Sequence, residues 1–165
     1  MCIRDRYYDD GLDELVFYDI TASSDGRDIM LDVVEKVAAQ VYIPFSVGGG
    51  IRSVEDANKL LGAGAEKINV NSAAVQRPEL ISECALAIGT QNTVLSMDIL
   101  KVKESRDFPS GYEIFIDGGR KRASIDALEW ALRGEELGAG ELVINSIDAD
   151  GTRNIGAAGS EWQDL

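Results

Sequence analysis

Leu61-Gly62-Ala63-Gly64-Ala65-Glu66-Lys67-Ile68-Asn69-Val70-Asn71-Ser72 reads as the end of a helix, a glycine turn and a short strand. Glycine just past a helix end accepts the left-handed backbone that closes the helix, and a short apolar run after it suits a buried strand. The same order of residues returns at Leu137-Gly138-Ala139-Gly140-Glu141-Leu142-Val143-Ile144-Asn145-Ser146, and Gly11 stands in a similar place before an earlier apolar run. Repetition of this unit points to parallel strands joined by helices. Barrel and doubly wound sheet share that pattern, and the internal repeat favours the barrel.

Outward from this stretch, strands are predicted at residues 14–21, 43–47, 67–71, 93–99 and 141–148, with helices between them. Residues 28–40 carry Ile29, Met30, Val33, Val34, Val37 and Ala38 at helical spacing. Ser53 is placed to cap the helix bearing Val54, Ala57, Leu60 and Leu61, with Asp56 three residues on as in a capping box. Pro78 suits the first turn of the next helix, whose stripe is Leu80, Ile81, Cys84, Ala85 and Ile88. An insertion begins near Lys101, and residues 112–117 alternate like one arm of a hairpin before a helix at 126–137. The stretches 1–6 and 155–165 fit no element and read as foreign or misread tails around a single unit at 7–154.

Composition narrows the chemistry. Sixteen Lys plus Arg against 29 Asp plus Glu give a net charge of −13, a poor match to nucleic acid or an anionic membrane. No apolar run is long enough to span a bilayer and the N-terminus lacks a signal-peptide core, so the expected compartment is the cytoplasm. The chain has no histidine, which removes Ser-His-Asp and Cys-His sites and leaves acid–base work to carboxylates, lysine or tyrosine. Cys2 and Cys84 match neither a metal spacing nor a disulfide framework, and Cys84 reads as a small buried hydrophobe. Neither a metal nor a cofactor is expected.

In parallel α/β folds the reacting groups gather at the carboxyl ends of the strands. Those ends carry Asp19 with Thr21, Gly48-Gly49-Gly50, Asn71 with Ser72, Asp98, and Asp148 with Asp150-Gly151-Thr152. Strand ends adjoin polar loops in any case, so no single position decides the matter. The triple glycine precedes a helix and could bring backbone N–H groups to an anion, or be a flexible turn. Asn71-Ser72 could donate to the same anion or cap a turn. Asp98 closes an apolar strand and is the internal candidate for general acid or base, or else a cap on its loop.

At the other end of the strands stand Glu14, Lys67 and Glu141. With a side-chain period of two, Lys67 shares a face with Asn71, and Glu141 with Asn145, some ~13 Å apart along each strand. Alternating charge there is either a plug at a barrel floor or a solvated rim. Glu14 and Asp19 are five apart, so Asp19 lies just past the strand end or a bulge intervenes.

Asp13-Glu14-Leu15-Val16-Phe17-Tyr18-Asp19-Ile20-Thr21-Ala22-Ser23, Val47-Gly48-Gly49-Gly50-Ile51-Arg52, Lys67-Ile68-Asn69-Val70-Asn71-Ser72-Ala73-Ala74-Val75, Gly138-Ala139-Gly140-Glu141 and Ser146-Ile147-Asp148-Ala149-Asp150-Gly151-Thr152 together resemble the cyclase subunit of imidazole glycerol phosphate synthase, an enzyme of histidine biosynthesis. The resemblance runs from about Tyr7 to Asn154. It implies an α/β fold, a partial (β/α)8 TIM barrel holding strands two to six. It also implies a doubly phosphorylated ribulosyl aminoimidazole carboxamide substrate and ammonia supplied by a glutaminase partner subunit. The products would be imidazole glycerol phosphate and aminoimidazole carboxamide ribotide. Asp98 would be one of two catalytic aspartates; the other, on strand one, has no counterpart here. Gly49, Gly50, Asn71 and Ser72 would hold one phosphate, Asp150 and Gly151 part of the other, and Asp19 would lie near the substrate. Glu14, Lys67 and Glu141 would form an ammonia gate whose family arginine is absent, with Glu66 beside the glutaminase interface. On this reading the 165 residues alone are expected to lack cyclase activity. The alternatives are the related phosphoribosylformimino isomerase barrel and an inactive chain that at most binds the glutaminase.

Overall fold

The computed structural model describes residues 12–19 and 30–150. Five strands lie parallel and in chain order: β1 (Leu15–Tyr18), β2 (Phe45–Gly48), β3 (Lys67–Val70), β4 (Thr93–Lys101) and, after an excursion, β7 (Glu141–Ser146). Between them run α1 (Leu31–Ala38), α2 (Val54–Gly62), the short α3 (Ser72–Gln76), α4 (Glu79–Ile88) and α5 (Ala127–Glu136). A parallel crossover needs such a helix to return the chain to the starting edge. This is the sequential parallel sheet of a (β/α) barrel. β1, β2, β3 and β7 are shorter than the sequence predicts, β4 runs two residues further, to Lys101, and α3 is an addition. The predicted start of α1 at residues 28 and 29, the end of the first strand, and both terminal stretches lie outside the described residues.

β4 organises the sheet. It has nine residues where β1, β2 and β3 have four each. Its first part pairs with β3 at 93–95, and β7 pairs with residues 94–99 along the opposite edge. Beyond the end of β3, the free edge of β4 is taken by the antiparallel hairpin of β5 (Tyr112–Ile116) and β6 (Lys121–Asp126). The insertion arm at 112–117 is β5; the sequence reading did not foresee β6.

Leu95, Met97 and Ile99 alternate with Val94, Ser96 and Asp98 along β4, so the two sets face opposite sides of the sheet. The first set packs on the helices. Gly134 of α5 sits so close to the sheet that a Cβ there would lie 2.3 Å from Leu95. Val34, Ala57, Leu60, Leu80, Ile81, Cys84 and Trp130 close the same core. Burial pushes the Cys84 thiol up to about 11, which makes it inert as a nucleophile. No helix among the described residues is long and apolar enough to cross a membrane.

Local chemistry sets the helix ends. Ser53 Oγ accepts from the Asp56 N–H at 3.2 Å, and Asp56 Oδ2 accepts in return from the Arg52 N–H at 3.0 Å. This is a capping box shifted by one residue at its carboxylate end. Asp126 caps α5 through the Leu128 and Glu129 N–H groups, and its other oxygen accepts from the Ser110 hydroxyl at 2.7 Å and N–H at 2.9 Å. Glu113 on β5 is fully buried, yet Arg122 of β6 donates to both its oxygens and the Ser124 N–H to one. These bonds satisfy a carboxylate that burial would otherwise make costly.

Burial alone would raise the Asp126 carboxyl, but the bonds from Ser110, Glu129 and Leu128 outweigh it and hold the group below its ordinary 3.8. A depressed folded value means the stabilisation is complete above the unfolded value and fades as pH falls through the folded one. Asp126→Ala is expected to cost about 2 kcal/mol at neutral pH, combining the cap with the Ser110 bonds. Chemical denaturation at stepped pH should show the gap between parent and variant constant above roughly pH 4 and shrinking below it.

Candidate active site

At the amino ends of the strands, Lys67 Nζ lies 3.2 Å from Glu14 Oε2 and 2.6 Å from Glu141 Oε1. Its hydrogen bond to Glu141 raises the ammonium pKa above its ordinary value; burial works against this and Glu14 supports it. At the carboxyl ends, Asp98 is gripped from both sides. Asn71 Nδ2 donates to its Oδ2 at 3.0 Å, and Asn145 Nδ2 to its Oδ1 at 3.0 Å.

The strand register explains why both layers close. Val16 is opposite Ser46, and Ser46 opposite Lys67, so Glu14 stands two residues short of Lys67 in register. Asn69 is opposite Val94, and Val94 opposite Glu141, so Glu141 stands two residues beyond Lys67. Each displacement of two residues accrues over two strand-to-strand steps, a stagger of one residue per strand. That is the shear of an eight-stranded barrel. Residues at one height on the barrel axis are therefore offset in register. The upper layer obeys the same rule, since Asn71 and Asn145 have the same offset as Lys67 and Glu141.

Between the layers the interior face mixes Val16, Val94 and Val143 with polar side chains. Ser46, Asn69 and Ser96 are buried there, and Asn69 has no hydrogen-bond partner for its side-chain amide among the described residues. The Tyr18 hydroxyl reaches across from β1 to Ser96 Oγ at 3.1 Å. Burial raises the phenol pKa and the Asp98 charge adds to it, against the bond to Ser96.

The glycine turn abuts these residues. Asp19 follows β1 directly, the first of the two predicted placements; its N–H donates to the Gly48 carbonyl at 2.9 Å and its side chain is buried. Gly49 and Gly50 have φ of 94° and 74°, and a Cβ on Gly49 would fall 2.2 Å from the Asp19 carbonyl oxygen. Glycine is thus required there by both dihedral and space. Gly48 is opposite Asn69, which puts the glycine turn beside the Asn71-Ser72 end of β3. Ser72 Oγ accepts from the Asp117 N–H at 2.9 Å, tying the hairpin turn to this corner. Asp150 is exposed in the turn after β7, its N–H bonded to the Ser146 carbonyl, while Gly151 lies outside the described residues. Glu66 is exposed beside Lys67 on the opposite face of the barrel.

The sequence reading placed Asn71 and Asp98 on neighbouring strand ends and Glu14, Lys67 and Glu141 at the starts. It did not single out Asn145, Tyr18 or Ser96 for the site. The signal for Asn145 was available, because the internal repeat aligns Lys67 with Glu141 and Asn71 with Asn145.

Sequential parallel strands with barrel stagger, a carboxylate at the carboxyl ends and a glycine turn on the neighbouring strand ends define a (β/α)-barrel protein of the kind that works at its carboxyl-end face. The chain belongs to the histidine biosynthesis protein family, whose model matches residues 2–157, a span wider at each end than the 7–154 unit read from the sequence. It is 62% identical over 149 residues to a protein of Desulfovibrio desulfuricans, covering 90% of this chain and 58% of the relative. It is 62% identical over 148 residues to one of Syntrophobacter fumaroxidans, covering 90% and 57%. It is 63% identical over 147 residues to one of Desulfatibacillum aliphaticivorans, covering 89% and 56%. Each relative is named imidazole glycerol phosphate synthase subunit HisF. The chain spans a little over half the length of these curated relatives.

Gly49→Ala is expected to destabilise the protein by about 3 kcal/mol, because an unfavourable φ and a backbone clash coincide. Equilibrium unfolding of the variant measures it, and a loss under 1 kcal/mol would show that the β1 end yields to make room.

Proposed function

We propose that the residues of this chain serve the synthase half-reaction of imidazole glycerol phosphate synthase, the cyclase chemistry that joins ammonia to the phosphoribulosyl-formimino aminoimidazole carboxamide ribotide, and that the 165 residues alone do not turn over. The observation that carries the reading is the pairing of two closed layers on one barrel face: Lys67 between Glu14 and Glu141 at one end, Asp98 between two asparagines at the other. The names of the relatives agree with it.

Asp98 serves as acid or base. Ammonia nitrogen must shed protons as it bonds to the substrate, and the departing aminoimidazole carboxamide ribotide must gain one. A carboxylate at the site mouth can take and return a proton in turn. Gly49, Gly50, Asn71 and Ser72 bind one substrate phosphate, the glycines through backbone N–H groups; Asp150 and Gly151 contribute to the second, and Asp19 lies near the bound substrate. Local donors supply this affinity against a net charge of −13. Glu14, Lys67 and Glu141 gate the floor, and Glu66 adjoins the surface that meets a glutaminase subunit. Asn69, Ser46 and Ser96 in the interior offer hydrogen bonds to ammonia in passage. The location of this chemistry is the cytoplasm. The floor ion triad also favours the cyclase over the related isomerase, which takes no ammonia from below.

These roles are tested in a chimera in which residues 7–154 replace the matching segment of the Desulfovibrio desulfuricans relative. Asp98→Asn is expected to lower turnover with ammonium salt and the ribulosyl substrate by about 10²-fold or more, with KM changed far less. Undiminished turnover would remove Asp98 from the mechanism, and turnover of the isomerase's substrate instead would move the chain to that class.

Lys67→Met in the same chimera, combined with its glutaminase, is expected to separate two activities. Turnover with ammonium salt should persist within about threefold, while glutamine-driven turnover falls by about tenfold, since only the latter must pass the floor. Equal loss of both would place Lys67 in the scaffold alone.

A further inference from the structure

We propose that Asn145 is a positioning residue for Asp98, so that the reacting carboxylate is fixed by two amides supplied from the strands on either side of it. The proposal rests on the reading of Asp98 as the acid–base group. Asp98 is opposite Asn145 in the β4–β7 pairing, and the two side chains share the interior face. Asn145 Nδ2 is 3.0 Å from Oδ1, and Asn71 Nδ2 is 3.0 Å from Oδ2. A carboxylate oxygen only accepts, so each amide must turn its NH2 toward it.

One amide would leave the carboxyl group free to swing. The terminal torsion of aspartate is broad and roughly two-fold, with little intrinsic preference for one plane. Two donors on different oxygens, anchored to different strands, fix that plane. Asn145 and Asp98 sit in the β4–β7 ladder itself, and Asn71 follows directly on β3, which is paired with β4, at the start of α3. Fixing the plane directs the remaining lone pairs of Asp98 at the site mouth, where a proton is to be exchanged. Proton transfer tolerates little misplacement, and a displacement of about 1 Å can cost 10²-fold in rate. Asn71 also lies beside the glycine turn, so it has a second task in the proposed phosphate site. Asn145 touches no other part of the proposed phosphate site in the described hydrogen bonds, which makes it the cleaner probe.

The test is a kinetic double-mutant cycle in the chimera. Asn145→Leu keeps the volume and removes both donors. We expect it to lower kcat by about 10-fold to 100-fold with KM within about twofold. In an Asp98→Asn background the same change should alter kcat less than twofold, because the group it positions is gone. Asn145→Gln, which retains the amide, should recover part of the loss. Asn145 is exposed, so the variants should fold, and Asn145→Ser repeats the cycle if Asn145→Leu does not. Equal losses in both backgrounds would make Asn145 a structural residue and overturn the proposal. The side-chain amide NMR signal of Asn145 gives a readout independent of turnover. It should shift on Asp98→Asn, and an unmoved signal would overturn the contact itself. Full activity of Asp98→Asn would refute the cyclase reading of Asp98 while that signal still decides whether Asn145 holds the carboxylate.

Discussion

The parallel register on the two sides of β4 is the constraint on which everything else depends. It sets which side chains share a height, and so decides that three charged residues from β1, β3 and β7 meet at one end and three polar ones from β3, β4 and β7 at the other. A one-residue slip of any strand would turn its interior side chains to the helix face. The apolar face resists such a slip: Leu95, Met97 and Ile99 would go to the interior and Ser96 and Asp98 would be driven against Trp130 and Leu80. The hydrophobic core thus enforces the geometry of a site made of polar groups it does not touch.

Length is the second device. Because β4 outruns β3, its upper edge needs a partner, and the β5–β6 hairpin supplies one. Unpaired strand edges are a standing invitation to association, and covering this one with an inserted hairpin removes it. The hairpin sets Ile114, Ala123 and Ile125 on the apolar core, and buried carboxylates fix its geometry. Glu113 takes Arg122 and the Ser124 N–H, while Asp126 joins Ser110 to the start of α5. Its turn then reaches Ser72 through the Asp117 N–H, so the insertion and the glycine corner form one continuous wall.

What was legible in the sequence follows from the range of the forces involved. Glycine before a strand, the Ser53 cap and the apolar stripes are local, and they placed all five parallel strands and, apart from the short α3, the helices between them. The floor triad was legible because charge at the start of a buried strand stands out. β6 was not: Lys121-Arg122-Ala123-Ser124-Ile125-Asp126 is too polar to read as a strand, and Ser124 has a φ of 58°. Pairing with β5 and the Glu113 contacts make it one. The grip on Asp98 was hidden for another reason. Whether Asn71 and Asn145 both reach the same carboxylate depends on the stagger between strands, which no single strand encodes, although the repeat already set the two asparagines in matching positions.

That repeat has a structural meaning beyond strand prediction. β3 and β7 flank β4 symmetrically, each bringing a charge at its start and an asparagine four residues on. Four residues is an even number, so charge and amide fall on the same face whatever the register with β4. The stagger then offsets β7 from β3 by two residues, again an even number, so both members reach the interior together. Lys67 and Glu141 differ in sign and attract, which closes the floor; Asn71 and Asn145 are alike, both donors, which suits them to opposite oxygens of one carboxylate lying between them. One unit used twice, with the charge reversed and Val143 in the place of Asn69, builds both ends of the interior.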